Sequence, residues 1–197
     1  MDNEPVSRRD RPPRPALSRT AIVEAALEVA DTEGLDAVTM RRVAAHLDTG
    51  ASALYVYIRS RDDLLDAMFD HAMAGLAAAR FPARERTWRQ RLTWLLLEAI
   101  AAAGGHGGLA RVALTTVPSG PNARAVTARV RALLAEGGLD AATVAAALDL
   151  LALFVTAAAL DRVPAAAGLA DQHRERMRWE IDVILNGLAT TPAGPMP

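Results

Sequence analysis

The sequence predicts an all-α protein, and three observations lead to this prediction. Half of the 197 residues are hydrophobic (51%), so the chain can bury a substantial core. Alanine supplies about one residue in five and aromatic residues only 4%, a composition that suits closely packed helices and disfavours a β-sandwich. Apolar residues recur at helical spacing between breaks marked by Pro and Gly, and no segment shows the alternation of a strand.

Start and stop signals divide the first part of the chain into four helices. Gly34 is placed to end the first helix with a left-handed C-cap, and Thr39 is a good N-cap for the second. Residues 48–50 should form a tight turn before the third. Ser60 should cap the fourth, with Asp63 completing a capping box. The expected helices cover residues 18–33, 39–47, 51–58 and 60–75.

The remainder is expected to form longer, more apolar helices between two loose tails. Residues 1–17 are rich in Pro and Arg and predict a disordered tail, as do residues 190–197. A Gly-rich hinge surrounds His106. The expected helices cover residues 84–103, a short stretch up to 116, 123–136, 140–160 and 169–188.

The apolar segment over residues 141–160 has the length of a membrane span. It contains Asp149, lies between Asp140 and Asp161, and depends on alanine, which inserts weakly into bilayers. A buried helix is therefore the favoured interpretation. Since residues 1–17 also lack a signal-peptide pattern, we expect a cytoplasmic protein without a membrane partner.

Residues 39–58 carry the most informative pattern. Two short helices joined by a tight turn and packed on a longer first helix have the spacing of a helix-turn-helix, whose second helix enters the DNA major groove. Formal net charge is −1, so DNA binding would have to come from a local basic patch. Residues 39–61 contain such a patch, because this segment has four arginines and only one acidic residue, Asp48. The arginines are Arg41, Arg42, Arg59 and Arg61.

The run over residues 18–68 resembles the tetracycline-repressor (TetR) family of bacterial transcriptional regulators. The matching positions include Gly34-Leu35, Val38-Thr39-Met40-Arg41, Val43-Ala44, Leu47, Leu54-Tyr55 and Leu64-Leu65. More weakly, the later part resembles the tetracycline-repressor-like C-terminal domain through Trp88, Thr116, Pro118 and the Gly137-Gly138-Leu139 break. The resemblance implies an N-terminal three-helix DNA-binding domain with its linker helix (residues 18–80) and a C-terminal helical domain for ligand binding and dimerisation (residues 81–189).

The resemblance also implies the positions of the DNA contacts. Asp48 replaces the usual turn glycine, and Tyr57 stands where a histidine is common. Alanine cannot form a hydrogen bond to a base, so sequence specificity would depend on Arg41, Ser52 and DNA shape. The expected contacts are Thr39, Arg41, Ala51, Ser52, Ala53, Tyr55 and Tyr57, with Arg61 on the DNA backbone.

A palindromic operator requires two copies of the reader about one helical turn apart, and therefore a homodimer. The two last long helices have surplus apolar surface and could pair with those of a second copy in a four-helix interface, the usual arrangement of the family. Packing within one chain is the alternative for each residue. The expected interface residues are Leu148, Leu151, Ala152, Val155, Ala159, Ile181, Ile184, Leu185 and Leu188.

The resemblance further implies a pocket for a small-molecule effector. Ala77 and Ala113 stand where the magnesium–drug site of the tetracycline repressor has histidines, so we expect no Mg-tetracycline binding, no metal and no cofactor. A mostly apolar effector is expected instead. Taken alone, each candidate lining residue fits a place in the core better than a ligand contact; the candidates are Met68, His71, Trp88, Leu92, Leu95, His106, Val112, Thr115 and Thr116.

Several features argue against an enzyme. The chain has no cysteine and no lysine, and its four histidines are far apart, which excludes thiolate catalysis, a Walker-type phosphate loop and a histidine metal cluster. The sequence therefore predicts a non-catalytic transcriptional regulator, most simply a repressor. A ligand-responsive activator and a purely structural helical adaptor remain the alternatives, the second of which would lack salt-sensitive DNA affinity.

Overall fold

The computed structural model describes residues 17–106, 108–115, 118–161 and 169–190, and every regular element in these ranges is a helix. The all-α prediction is therefore confirmed for this part of the chain. Predicted tails at 1–16 and 191–197 lie outside the described residues. The α-helices are α1 (Arg19–Glu33), α2 (Met40–His46), α3 (Ala51–Leu54), α4 (Arg61–Ala78), α5 (Trp88–Gly104), α6 (Val112–Thr115), α7 (Pro121–Glu136), α8 (Ala141–Leu160) and α9 (Leu169–Thr190), and single 3-10 turns cover Leu35–Ala37 and Leu109–Arg111.

Side-chain caps fix the starts of the first helices where the sequence places them. The Ser18 hydroxyl accepts a hydrogen bond from the Ala21 amide at 3.1 Å, and Thr39 does the same for the Arg42 amide. Ser60 accepts from the Asp63 amide, also at 3.1 Å. These bonds satisfy amides that the first turn of a helix leaves without partners. The predicted caps of α2 and α4 are confirmed, and Ser18 adds a cap for α1 that was not predicted from the sequence.

Several predicted boundaries are wrong for local reasons. Helix α3 is a single turn that ends at Leu54, and residues 55–57 continue as turns instead of helix. Helix α5 begins at Trp88, four residues later than expected, because Thr87 and Gln90 form a complete capping box there. Gly34 ends α1 with a positive φ of 89°, as expected for a glycine there, but its ψ of 160° differs from that of a left-handed helical cap.

Helix α4 connects the two parts of the molecule. It packs against α1 on one side and against α5 and α7 on the other, while α5 also contacts α8 and α9. One hydrophobic core runs through both parts, from Ile22 in α1 to Leu185 in α9. The predicted division at residues 80 and 81 falls in the segment between α4 and α5, but the core is not interrupted there.

Candidate nucleic-acid interface

Helices α2 and α3 form a helix-turn-helix supported from below by buried side chains. Leu54 at the end of α3 and Ile58 just after it are fully buried, as the sequence predicts. Val43 of α2 is also fully buried. In the turn, Asp48 has φ 52°, a left-handed conformation that Asp tolerates better than most residues. The exposed side of the motif is thus held in one orientation by a fixed turn and a packed base.

The outer side of α3 and the turns after it face solvent. Tyr55 is 54% exposed and Tyr57 is 38% exposed, while Ser52 is also exposed and its alanine neighbours are half-buried. Thr39 and Arg41 are exposed at the start of α2. The sequence did not single out Val56, which is 79% exposed at the same surface. The predicted contact residues therefore lie on accessible surface, apart from Arg61, which is half-buried.

Arg61 is hydrogen-bonded within the protein, and its expected contact with the DNA backbone stays a prediction for its remaining N–H groups. Its Nε donates to the Val38 carbonyl at 2.7 Å and a terminal nitrogen donates to the Leu35 carbonyl at 3.1 Å. Both carbonyls belong to the segment between α1 and α2, so this half-buried guanidinium ties α4 to the base of the helix-turn-helix. The sequence pattern shows a basic residue here but cannot show that its donors point inward.

The two neighbouring arginines of α2 differ in their electrostatic surroundings. Arg42 forms a bidentate ion pair with Glu33 at the end of α1, and this hydrogen-bonded pair lowers the pKa of Glu33 and raises the pKa of Arg42. Exposed Arg41 makes no ion pair with any residue in the described ranges. Arg41 is therefore the α2 arginine whose charge is available to a phosphate or a base edge.

Two residues that the sequence did not assign to the site, Arg19 and Asp63, fix the end of the reading segment. Arg19 donates to the Tyr57 carbonyl and to the Asp63 carboxylate, each at 2.8 Å. The other oxygen of Asp63 accepts from the Arg59 amide at 2.8 Å and not from the Ser60 amide, so the expected capping box is not formed. Hydrogen bonding by Arg19, assisted by the Arg59 amide, lowers the pKa of Asp63. Long-range contacts of this kind leave no signal in local sequence patterns.

The candidate pocket residues are spread over several environments. Met68, Leu92 and Leu95 are fully buried in the core and Val112 nearly so, whereas His71 is exposed. The Trp88 ring lies against Gly137, since a Cβ on that glycine would come within 2.7 Å of it. Side chains of Thr115 and Thr116 lie outside the described residues.

His106 of this set lines a cavity of about 250 Å³ with residues of α1, α5 and α8. Its ring lies 2.9 Å from the Asp31 carboxylate. The described side chains include no cluster of three His, Cys or carboxylate residues that could hold a metal.

The exposed apolar surface of α8 and α9 differs from the predicted interface. Leu151, Ala159, Ile181 and Leu185 are buried within the chain, so for these four the alternative of core packing is correct. Ala152 is exposed, and Leu148, Val155, Ile184 and Leu188 are half-buried. Large exposed apolar residues on these helices are Leu150, Leu153, Leu160, Trp179 and Val183. Both helices are apolar on more than one face, and the sequence alone does not show which face meets the chain's own core.

Within the described ranges, α8 has the length and the apolar composition of a helix that crosses a bilayer. Only 28% of its most apolar stretch is buried inside the structure. The helix that was expected to be buried is thus only partly buried in a single copy of the chain. Helices of this kind also occur in proteins that never enter a membrane, where the apolar face is covered by other protein.

Comparison with known proteins connects this architecture to one family. The model of bacterial regulatory proteins of the tetR family matches residues 22–68, and the model of the tetracyclin repressor-like C-terminal domain matches residues 81–190. The HTH-type transcriptional repressor DrrR1 of Streptomyces coeruleorubidus is 34% identical over 154 residues, which are 77% of this chain and 56% of that protein. This chain therefore spans about half the length of that relative.

Two further comparisons extend the match over the whole fold. The class A tetracycline repressor protein from transposon 1721 of Escherichia coli is 28% identical over 145 residues, 74% of this chain and 67% of that protein. A similar solved structure is the crystal structure of the Streptomyces coelicolor TetR family protein ActR in complex with actinorhodin. Its chain shares 32% sequence identity with this one and superposes with a TM-score of 0.76, and the match covers 91% of this chain and 100% of the ActR chain. With both parts matched in order, the chain belongs to the tetR family of bacterial regulatory proteins.

Proposed function

We propose that this chain is a transcriptional repressor of the bacterial cytoplasm that binds a palindromic DNA operator as a homodimer and is released by a small, mostly apolar effector. The proposal rests on the exposed outer side of α3 and of the turns after it. Ser52, Tyr55 and Tyr57 face solvent there, above a base formed by buried Leu54 and Ile58. A short helix presented in this way fits the major groove, and tyrosine hydroxyls can donate to phosphates.

The charge distribution supports binding of DNA over other partners. Arg41 at the start of α2 and Arg59 after α3 are both exposed and lie on either side of the tyrosines in the chain. Arg42 forms an ion pair with Glu33, and Arg61 donates to two backbone carbonyls. Both side chains therefore contribute to the rigidity of the motif. We expect Arg41 to read a base or a phosphate, with Ser52 and DNA shape adding specificity.

The surface of α8 and α9 supports the homodimer. One three-helix reader buries little DNA surface, and a palindrome is read by two of them about one helical turn apart. Leu150 and Leu153 are exposed one turn apart on α8, and Trp179 and Val183 are exposed one turn apart on α9. Apolar faces of this kind are typical of symmetric association, in which the same patch serves both copies.

Release by an effector is supported by the relatives. ActR has been crystallised with actinorhodin, and DrrR1 is named a repressor. An effector can only act by binding one conformation of the protein more tightly than the other. A coupling of about 1–3 kcal/mol would change operator affinity by a factor of about 5–150.

The test is a binding titration of the purified chain on the DNA upstream of its own gene, with a shuffled sequence of equal composition for comparison. We expect Arg41→Ala to lower operator affinity by about 1–3 kcal/mol. Arg42→Ala removes the same charge from the next residue and is the matched control, for which we expect a smaller loss. Affinity should also fall with salt, with a log–log slope near −0.9 per neutralised phosphate. Absence of salt-dependent DNA binding would favour the helical adaptor instead.

A further inference from the structure

A groove of about 510 Å³ lies on the DNA-reading part of the chain, between one side of α1 and the turn that precedes α3. We call it the α1 groove. Its apolar lining residues are buried or half-buried and form its floor: Leu17, Ala21, Ala25 and Leu47. Since Leu17 is the first described residue, the preceding segment of the chain starts at the groove itself.

The polar lining of the α1 groove is acidic. Glu24, Glu28 and Asp48 line it and are all exposed, and no arginine is among its described lining residues. Glu24 forms no ion pair with any side chain in the described ranges. The His46 ring lies 2.8 Å from the Glu28 carboxylate, yet 68% of the Glu28 side chain stays exposed. Carboxylates above an apolar floor favour an occupant that combines positive charge with apolar stems, as arginine side chains do.

Residues 8–14 of the same chain have the complementary charge. This segment reads RRDRPPR, with four arginines and a single acidic residue, Asp10. It lies outside the described residues and is joined to Leu17 through Pro15 and Ala16. The segment is therefore covalently held close to the groove, which gives it a high effective concentration there.

The length of this segment matches the length of the groove. Proline favours a polyproline-type chain that advances about 3.1 Å per residue, so Arg14 and Arg11 would lie about 9 and 19 Å from Leu17. A helix rises about 1.5 Å per residue, which places Glu24 and Glu28 about 10 and 16 Å from the same point along α1. A segment that folds back along α1 therefore brings Arg14 to the level of Glu24. Arg11 then reaches the level of Glu28.

We propose that residues 8–14 dock in the α1 groove of their own chain when no DNA is bound, with their arginines paired to its carboxylates. Asp48 and Thr49 line the groove just before α3, so the docked segment lies beside the reading surface. Arginines paired in the groove are not available to phosphates, and DNA must compete with the groove for them. This consequence for DNA rests on the proposed function, whereas the docking itself does not.

Nuclear magnetic resonance of the full chain tests the docking without DNA. The sequence has no cysteine, so Ser7→Cys places a single nitroxide label next to the segment, and the label broadens the signals of amides close to it. We expect broadening of the Glu28 and Leu47 amides, and its loss when Glu24→Gln and Glu28→Gln are combined. Asp62→Asn is the matched control and should leave the broadening unchanged, since Asp62 is an exposed carboxylate of the reading part that does not line the groove.

Replacement of the four arginines by glutamine gives the same test from the other side of the contact. This variant alters no residue of the described core, so its folding is not in question, and we expect it to lose the broadening as well. Unchanged broadening in either charge variant would overturn the inference. So would broadening in a sample that mixes spin-labelled chains with isotope-labelled chains free of the nitroxide, because the segment would then occupy the groove of a second copy.

Operator affinity tests the competition through a double-mutant cycle. The groove pair, Glu24→Gln with Glu28→Gln, is measured in the parent chain and in the chain without the four tail arginines. Loss of two negative charges acts on DNA directly in both backgrounds, and the cycle cancels this effect. We expect the groove pair to raise affinity about 2- to 30-fold more in the parent background, the range given by two exposed ion pairs.

Equal factors in the two backgrounds would overturn the competition while leaving the proposed function intact. If the parent protein does not bind DNA at all, the proposed function fails, and the nitroxide measurement still decides whether residues 8–14 dock in the groove.

Discussion

Asp63 provides the sharpest test of how the reading segment is held. Its carboxylate accepts from the Arg59 amide and from Arg19, both at 2.8 Å, and about a quarter of its side chain is exposed (26%). A hydrogen bond to a charged group contributes about 1.5–3 kcal/mol. The Arg19 pair contributes only about 0.2–1 kcal/mol, because the arginine is half-exposed and screened by solvent.

Asp63→Ala should therefore lower the free energy of unfolding by about 2–4 kcal/mol at pH 7. Asp62→Ala is the control, because Asp62 is an exposed carboxylate in the same first turn of α4 and its loss removes the same favourable interaction with the helix dipole. The measurement is urea denaturation of both variants at one protein concentration. Operator affinity should fall for Asp63→Ala alone, since the chain from Tyr57 to Arg59 loses its anchor.

The pH dependence follows from the lowered pKa of Asp63. A carboxyl group with a lowered native pKa stabilises the fold above its unfolded value of about 4, and this contribution is lost as the pH falls through the native value. The stability difference between the parent protein and Asp63→Ala should thus be full at pH 7 and shrink below about pH 4. Equal losses for the two variants, or a difference that does not change with pH, would refute the assigned role.

Two other substitutions test packing and assembly. Gly137→Ala should lower the free energy of unfolding in urea by about 1–3 kcal/mol, because the new Cβ would lie 2.7 Å from the rigid Trp88 ring. Gly75→Ala is the control and should not destabilise the fold, because a Cβ there has no neighbour within 4 Å. A Gly137→Ala variant as stable as the parent protein would show that the ring can move. Leu153→Glu should convert the dimer to monomer in analytical ultracentrifugation, because it places a charge on the exposed apolar side of α8. The same change at exposed Ala128 of α7 should leave the dimer intact, and a Leu153→Glu dimer would place the interface elsewhere.

Local signals in the sequence were sufficient for the helices and for the inward side of the reader. Thr39 and Ser60 cap the helices they were expected to cap, and Leu54 and Ile58, four residues apart, are both buried. Such features depend on residues within one or two turns of each other, so a single chain segment contains all the information.

The sequence could not show which partner each polar or apolar side chain meets at long range. The inward role of Arg61 depends on carbonyls 23 and 26 residues earlier in the chain. Asp70 of α4 accepts a hydrogen bond from an amide group 52 residues later. The apolar face of α8 is equally ambiguous, because Leu151 and Leu153 look alike in sequence yet one is buried and the other is 63% exposed. Contacts of this kind are set by tertiary packing and not by local periodicity.

Under the proposed dimer, the exposed apolar residues of α8 and α9 also link the stability of the protein to its abundance. A chain that has not yet met its partner exposes Leu150, Leu153 and Trp179 to water, and this surface is available for unspecific association. Under the proposed dimer, mass action makes the folded state more favourable as protein concentration rises. In cells that make few copies of this regulator, a larger fraction would then be monomeric, less stable and prone to unspecific association. The amount of protein synthesised would thus itself limit how strongly the regulated gene responds.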